Sequence, residues 1–452
     1  MNYISSSQDV KEYLDSFTNY EREINFTYSP STFDLNRVKT ILSNLGNPHR
    51  AIKTIHIAGT KGKGSTAYLV SSILRAAGYK VGLYTSPHIV YFTERIRILE
   101  GESGRLISDE EVSDIVDILK PIIDKTQADA KFGNLTYFEV LTCLCFYFFA
   151  KEKVDYAVIE VGMGGRLDAT NVITPLVSAI TSISFDHTKE LGDTLALIAK
   201  EKAGIIKDNT PVVVSMQQEE VKKVIRDVCR DKKSVTYEFG RDFHVKIKQV
   251  DNKESIFDVS TGKEKYDDLH LSLLGEHQII NAAVSIEITE ILKSTGINIP
   301  RESVYKAFRN ASFIGRLEVI KEEPTIILDG AHNEASAFCL KDAITKLFNY
   351  EKLYLVLGMS KNKDIKAFAD VLCPVAYEVI LTKADSPRAA DPVKLTEEEL
   401  ISYSEKTICL PDVEQTLKYV LLRATPKDLI CCTGSFYILA EVKLFFEDIY
   451  NY

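Results

Sequence analysis

The chain carries no excess of positive charge: 55 Lys and Arg stand against 64 Asp and Glu, a formal net charge of -9. General nucleic-acid and anionic-membrane partners favour a basic face, so neither is expected, although a local basic pocket for phosphates is compatible with this balance. A CxxC pair is also missing. The eight cysteines include Cys143 and Cys145 in an apolar run and the adjacent Cys431 and Cys432, with no regular framework. They read as buried thiols in a reducing compartment, and they argue against a disulfide scaffold or a structural metal. The stretch MNYISSSQDVKEYLDSF has neither the basic start nor the apolar segment of a secretory signal. The most apolar run, residues 140–150, is too short to cross a bilayer and reads as a core helix. A cytoplasmic location is therefore expected. Internal repeats and low-complexity tracts are absent too. With 45% hydrophobic and 26% charged residues among 452, the composition is that of a folded protein of two or three domains.

Against those absences stands one dense stretch, residues 54–85, which reads TIHIAGTKGKGSTAYLVSSILRAAGYKVGLYT. Ile55, Ile57 and Ala58 predict a strand, Gly59, Gly62 and Gly64 a turn, and the apolar spacing over 67–77 a helix. Strand, glycine loop and helix together make a phosphate cradle. Glycines let backbone N–H groups turn inward, the helix offers its positive end, Lys63 a point charge, and Ser65 or Thr66 a hydroxyl for Mg²⁺. The spacing departs from the Walker pattern, since only two residues separate Gly59 from Gly62 and Gly64 intervenes between Lys63 and Ser65. A turn that merely closes a βα unit is the bland alternative.

Further along, a strand over 80–84 leads to TSPH at 85–88, where Ser86 would face the crevice in which α/β sheets bind ligands. By itself a plain Ser-Pro turn is the simpler reading. A helix is predicted over 137–149 and a buried strand over 156–161 with Glu160 inside it. An unpaired carboxylate there would be costly, so a cation should meet it, either Mg²⁺ on nucleotide phosphates or the side chain of Arg166 or Lys63. Another strand, 176–182, leads to Asp186 and His187; a lone histidine here is ordinarily a packing residue, and Mg²⁺ seldom takes nitrogen. Lys202 would ordinarily be a surface lysine on a helix. Residues 237–266 predict a β-hairpin with Asp251 and Asn252 in its turn. Helices over 277–291 and 300–309 follow, with a boundary near Ala311. Strand and helix then alternate over 325–328, 335–348, 353–357, 365–372, 378–382 and 429–432. The expected class is α/β: a P-loop-type N-terminal ATPase domain with a mainly parallel sheet, residues 1–310, and a Rossmann-like C-terminal domain, residues 311–452.

From about Phe33 to Tyr437 the chain resembles the folate branch of the Mur-type ligases, the folylpolyglutamate synthases, and more closely their bifunctional dihydrofolate synthase/folylpolyglutamate synthase members. GTKGKGST, TSPHIVYFTERIRI, LTYFE, EVGMGGRLDATN, SFDH, EKAGI, GEHQIINAA, GRLE, LDGAHN and GSFY occur in matching order. The resemblance implies a Mur ligase architecture and an ATP- and Mg²⁺-dependent amide ligase. Such an enzyme joins L-glutamate to dihydropteroate and to reduced folates through an acyl phosphate. It implies that Thr60, Lys61, Gly62, Lys63, Gly64 and Ser65 hold the phosphates, with Asn281, Arg316 and Asp329 as further ATP contacts. Ser86, Glu160 and His187 would hold Mg²⁺, with two ions expected. Lys202 would be carbamylated by CO₂, and Lys63, Lys202 and His187 would be catalytic. The pterin would lie against Thr136, Tyr137, Phe138, Glu139, Leu167, Asp168 and Ala169. RLDATN at 166–171 is similar to the bifunctional pattern; Asp168 is read there as a bidentate acceptor for the pterin, against a turn or helix cap.

For the incoming glutamate the candidates are Lys361, Lys363, Arg388 and His332. Two positions depart from the family pattern, Ile314 before Gly315 and Asn362 before Lys363. Small-molecule substrates and a monomer are expected. Alternatives are a folylpolyglutamate synthase alone, a Mur-type ligase with another carboxylate acceptor such as a peptidoglycan precursor, and a nonenzymatic nucleotide-gated binding protein.

Overall fold

Short aliphatic runs supply an eight-stranded sheet: β1 Lys53–Ala58, β2 Val81–Tyr84, β3 Ile96–Glu100, β4 Ser103–Leu106, β5 Tyr156–Glu160, β6 Val177–Ile180, β7 Val212–Val214 and β8 Thr236–Glu238. The computed structural model describes residues 7–450 apart from 22, 24–26, 31, 130–132 and 362; Asn362 thus lies outside the described residues. Strand order is β4-β3-β2-β5-β1-β6-β7-β8. Strands β2, β5, β1, β6, β7 and β8 run parallel, while β3 and β4 fold back antiparallel at one edge. Strands covered on both faces carry continuous apolar runs, which is why IHIA and YAVIE show little alternation. Pairing of Ile57 with Glu160 and of Ala58 with Ile180 brings the ends of β1, β5 and β6 level. The loops that follow them therefore open on the same side, where ligands of open α/β sheets bind.

The helix Lys63–Ala76 packs against Glu276–Ser294 and Arg301–Arg309. The helix Tyr137–Lys151 carries the apolar run seen in the sequence and buries Val140, Leu144, Phe148 and Phe149 against Leu35–Asn44 and Asp109–Ala128. Thr136 and Glu139 form a reciprocal capping box at its start, which sets where the helix begins.

The hairpin predicted over 237–266 is corrected to a three-stranded antiparallel sheet, β9 His244–Val250, β10 Ser255–Ser260 and β11 Lys265–Leu271, in the order β11-β10-β9. Its third strand was illegible because the pairing of β10 with β11 shifts register between Phe257 and Val259, and a bulge breaks the apolar alternation. The start of the predicted hairpin went elsewhere: β8 pairs with β7 in the large sheet.

A second sheet follows: β12 Glu318–Glu322, β13 Thr325–Asp329, β14 Leu353–Leu357, β15 Glu378–Leu381, β16 Thr407–Cys409 and β17 Leu429–Thr433, in the order β12-β13-β17-β14-β15-β16. All its pairs are parallel except β12 with β13. The edge strands β12 and β16 are half exposed and lack an apolar run, so sequence periodicity did not mark them. The helix Phe436–Tyr450 packs on β17 and was not predicted either. The chain is thus α/β with two mainly parallel sheets, as expected. No helix among the described residues is long and apolar enough to cross a membrane.

Candidate active site

The loop after β1 turns on two glycines. A Cβ on Gly59 (φ +151°) would stand 1.8 Å from Thr181 Oγ1, and one on Gly62 (φ +84°) would stand 2.2 Å from Asn281 Oδ1. Gly62 caps the helix Lys63–Ala76 and offers no side chain to it. The first turn of that helix, at Lys63, Gly64 and Ser65, therefore presents N–H groups with no intrahelical acceptor, at the positive end of the helix dipole. Thr60 and Lys61 are different, and the expectation that their loop N–H groups hold phosphate is corrected. Both donate to the Ser182 carbonyl, at 2.9 and 3.1 Å, and the Thr60 hydroxyl donates to Ser184 O at 3.2 Å. Lys61 has only its ammonium to offer. Ser65 is buried in the first turn, and the Thr66 hydroxyl is buried without a partner among the described residues.

Glu160 ends β5 beside this loop and is 3% exposed. Its Oε2 accepts the Ser86 N–H at 3.0 Å and its Oε1 lies 3.9 Å from Lys63 Nζ. Arg166 is not its partner, being paired with Glu201 at 3.0 Å. Burial raises the Glu160 carboxyl above its ordinary range, against Lys63 and the Ser86 N–H. His187 sits in a left-handed conformation, with its N–H on Asp186 Oδ1 at 3.1 Å. Burial pushes its imidazole down to about 3, so a neutral ring nitrogen is available as a ligand.

Ser86, Glu160 and His187 line one cavity of about 340 Å³. Among the described residues no three His, Cys, Asp or Glu side chains are grouped as a metal site. The expected set has only two such groups plus a serine hydroxyl, so it suits a hard ion that takes its other ligands from phosphate and water. A buried Glu160 oxygen whose nearest cation is beyond hydrogen-bond distance fits that ion.

Lys202, on the helix Leu195–Ala203, is buried and lines the same cavity, which corrects the surface reading. Its Nζ donates to Gly59 O at 2.8 Å, and burial, with Lys63 nearby, lowers it to about 7.

A cluster of polar groups from the second sheet reaches across to the first at Asp186. Its carboxylate accepts from Lys363 Nζ at 2.7 Å and Asn333 Nδ2 at 3.3 Å, with His332 Nε2 at 3.6 Å and Lys61 Nζ at 3.9 Å. Burial alone would push Asp186 up, but the ammonium groups of Lys363 and Lys61 outweigh it and hold it well below the usual carboxylate range. His332 Nδ1 donates to Gly330 O at 2.7 Å, which leaves Nε2 to accept from Lys61 at 3.3 Å.

Of the other candidates, Arg388 and Arg316 line the cavity. Arg388 Nη1 donates to the Glu21 carbonyl, and Arg316 lies 5.0 Å from the Phe436 ring centre. Lys361 is turned to Pro387 O. Asn281 meets the loop at Gly62, and its Nδ2 donates to Gln278. Asp329 does not line the cavity: its two oxygens accept the N–H groups of Leu317 and Ala331, both at 2.9 Å, and brace a turn. Sequence reading did not single out Arg95, whose fully buried guanidinium pairs with the Glu21 carboxylate and with His88 Nδ1 at this cavity. The two partners lie 74 residues apart, and no local pattern announces such a pair.

On the far side, Thr136, Phe138, Glu139, Leu167, Asp168 and Ala169 line the cavity. Tyr137 does not; its N–H donates to Thr18 O and its ring faces the Arg95 guanidinium. Phe138 stacks on Tyr84 at 5.8 Å. Burial raises the Glu139 carboxyl to about 7, while the Thr136 N–H and Arg37 oppose it. Asp168 proves to be a cap as well as a lining residue. Its Oδ1 accepts the N–H and hydroxyl of Thr170, and its Oδ2 the Met163 N–H at 2.9 Å. With both oxygens engaged, the bidentate pairing expected of it is corrected to at most a single outward contact.

Residues 57–289 match the Mur ligase middle domain family, and residues 315–436 match the Mur ligase, glutamate ligase domain family. The dihydrofolate synthase/folylpolyglutamate synthase of Bacillus subtilis is 35% identical over 419 residues, covering 90% of this chain and 94% of that protein. The Mycobacterium tuberculosis folylpolyglutamate synthase complexed with ADP superposes with a TM-score of 0.87 at 30% identity, over 98% of this chain and 99% of that one. E. coli FolC in complex with DHPP and ADP superposes with a TM-score of 0.84 at 28% identity, over 99% of both. The glycine loop, the buried Glu160 and the clasp between the two sheets thus lie in a chain that belongs to the Mur ligase family, in its dihydrofolate synthase/folylpolyglutamate synthase branch.

Proposed function

We infer that the chain is an ATP-dependent glutamate ligase that joins L-glutamate to dihydropteroate and extends reduced folates, with residues 1–310 and 311–452 as its two domains. The observation that carries the reading is the meeting, in one cavity, of an uncapped helix N-terminus with Lys63, the buried Glu160, and a separate wall built from Phe138 and Asp168. A carboxylate is a poor acylating agent. The γ-phosphoryl of ATP passes to the acceptor carboxylate, releasing ADP and leaving an acyl phosphate. The neutral amine of glutamate then attacks the acyl carbon, phosphate leaves, and one proton is released as the amide forms.

Lys63 and the first-turn N–H groups hold the transferring phosphoryl group and offset its charge. Ser86, Glu160 and His187 would hold Mg²⁺, which supplies Lewis-acid charge neutralisation on phosphate oxygens. Lys202, as the carbamate, would face that ion with an anion; its lowered basicity supports this, because CO₂ adds to the neutral amine. Asp186 draws Lys363 and Asn333 across the cavity, excluding water that would hydrolyse the acyl phosphate. Phe138 packs the heterocycle, and Lys363, His332 and Arg388 are the cationic or polar groups within reach of the incoming amino acid.

Mass spectrometry of products from ATP, Mg²⁺ and glutamate with dihydropteroate or tetrahydrofolate tests the reading. Glutamylated products from both acceptors are expected. Extension of tetrahydrofolate alone would reduce the activity to polyglutamylation, and no product from either would overturn the reading. Lys63→Ala should lower turnover on both by about 10²–10³-fold, the usual worth of one such donor.

A further inference from the structure

Behind Asp168 a hydrogen-bonded chain runs out of the cavity and into the large sheet. Thr170 Oγ1 lies 2.5 Å from Asp168 Oδ1, and His56 Nε2 lies 2.9 Å from the same hydroxyl. Thr170 and His56 are both 0% exposed, and Asp168 is 5% exposed. A hydroxyl has one proton to give, and the ionised carboxylate can only accept. The Thr170 proton therefore points at Asp168, and towards His56 the hydroxyl is the acceptor. That assignment places the imidazole proton on Nε2. It leaves Nδ1 bare, and Nδ1 is buried without a partner among the described residues.

His56 stands in the middle of β1, three residues before Gly59, between the buried aliphatic side chains of Ile55 and Ile57. A polar ring at such a place costs burial free energy that a valine would avoid. The cost is offset only through the hydroxyl it supports. The catalytic steps above use neither His56 nor Thr170.

We propose that His56 and Thr170 are positioning residues for the acceptor substrate. His56 fixes the Thr170 hydroxyl, the hydroxyl fixes the Asp168 carboxylate, and the outward lone pair of Asp168 accepts from an N–H donor on the heterocycle. The proposal rests on the reading of Asp168 as part of the pterin wall. Neither residue touches substrate, and neither touches the phosphate loop. Their loss should therefore appear in the acceptor's KM and not in that of ATP.

Steady-state kinetics of the full chain with dihydropteroate, varying acceptor and MgATP separately, tests this on Thr170→Val, Thr170→Ser, His56→Leu, Asp168→Ala and the double variant Asp168→Ala/His56→Leu. Thr170→Val and His56→Leu should each raise the acceptor KM roughly tenfold, the scale of one oriented hydrogen bond, with kcat and the KM for MgATP within about twofold of the parent. Thr170→Ser, which keeps the hydroxyl, should behave as the parent does. In the Asp168→Ala background His56→Leu should add nothing, because the chain then has no end to hold. Equal losses for MgATP and acceptor, additivity in the double variant, or no rescue by serine would overturn the proposal. An Asp168→Ala chain with unaltered acceptor KM would defeat the pterin reading itself. A raised KM in Asp168→Ala with none in Thr170→Val would defeat the chain alone. Thr170→Val is nearly isosteric and carries the test by itself where His56→Leu does not fold.

Discussion

At the scale of single residues, Lys202 shows how burial shifts the ionisation of an ordinary side chain. Its amine is surrounded by protein and faces Lys63 as well as the Gly59 carbonyl, and it is lowered from 10.5 to about 7. A neutral amine is thus present in quantity above about pH 7. Carbamate uptake at constant dissolved CO₂ should rise between about pH 6 and pH 8, read as ¹³C label from bicarbonate by NMR on the intact protein, and should vanish in Lys202→Met. Label that is flat across this range, or that persists in the methionine variant, would remove the carbamate. The same shift makes a stability statement for the unmodified protein. Between about 7 and 10.5 the unfolded chain binds the Lys202 proton and the folded chain does not, so this group's contribution improves as pH rises through that window. Replacing Lys202 by methionine should flatten the rise of melting temperature with pH over the same interval.

The element that matters most is the turn between β1 and the helix Lys63–Ala76. Its work is done by backbone, so its side chains are constrained by what they must not be. At Gly62 the left-handed φ of +84° and the Asn281 amide, 2.2 Å from where a Cβ would be, act together. Gly62→Ala should weaken binding of a non-hydrolysable ATP analogue by tenfold or more in calorimetric titration. It should also lower stability by about 1 kcal/mol from the left-handed conformation alone. Pairing it with Asn281→Gly removes the clash but not the backbone strain, so analogue binding should recover in part. Undiminished binding in Gly62→Ala would show that this turn does not cradle the phosphates. Much of this element was legible beforehand, because a glycine loop between a strand and a helix is a local pattern. What escaped was the use of the Thr60 and Lys61 N–H groups, which are held by Ser182, in the loop after β6, more than a hundred residues later.

For the molecule as a whole, the contact that joins the two halves at the cavity is the clasp at Asp186. Lys363 and Asn333, in the segments that follow β14 and β13, reach the carboxylate of Asp186 in the loop after β6. The pair is mostly buried, with side chains 15% and 12% exposed, so salt should screen it far less than it screens a surface pair. Lys363→Met should lower kcat by about tenfold or more while analogue binding to the glycine loop stays close to normal. Small-angle scattering with the analogue present should then show a larger radius of gyration than the parent. An unchanged kcat and radius would mean that the two halves close without this bridge.

The sequence alone determined whatever depends on neighbours along the chain. The glycine turn, the buried strand holding Glu160, the apolar helix from Tyr137 and the α/β alternation are all short-range patterns of apolar spacing and glycine. Tertiary structure decided the partners. It placed Lys202 in the interior instead of on the surface, seated Arg95 on Glu21, and joined Asp186 to Lys363. It also tied Asp168 to Thr170 and Met163, leaving at most one outward lone pair. The physical reason is that a side chain's ionisation and hydrogen bonding are set by which groups share its dry surroundings, and in a doubly wound sheet those groups arrive from strands and loops far apart in the chain. The edge strands β12 and β16 and the third strand β11 were lost for a related reason. A half-exposed or bulged strand is held by the backbone pairing of its neighbour, and that pairing leaves little trace in its own residues.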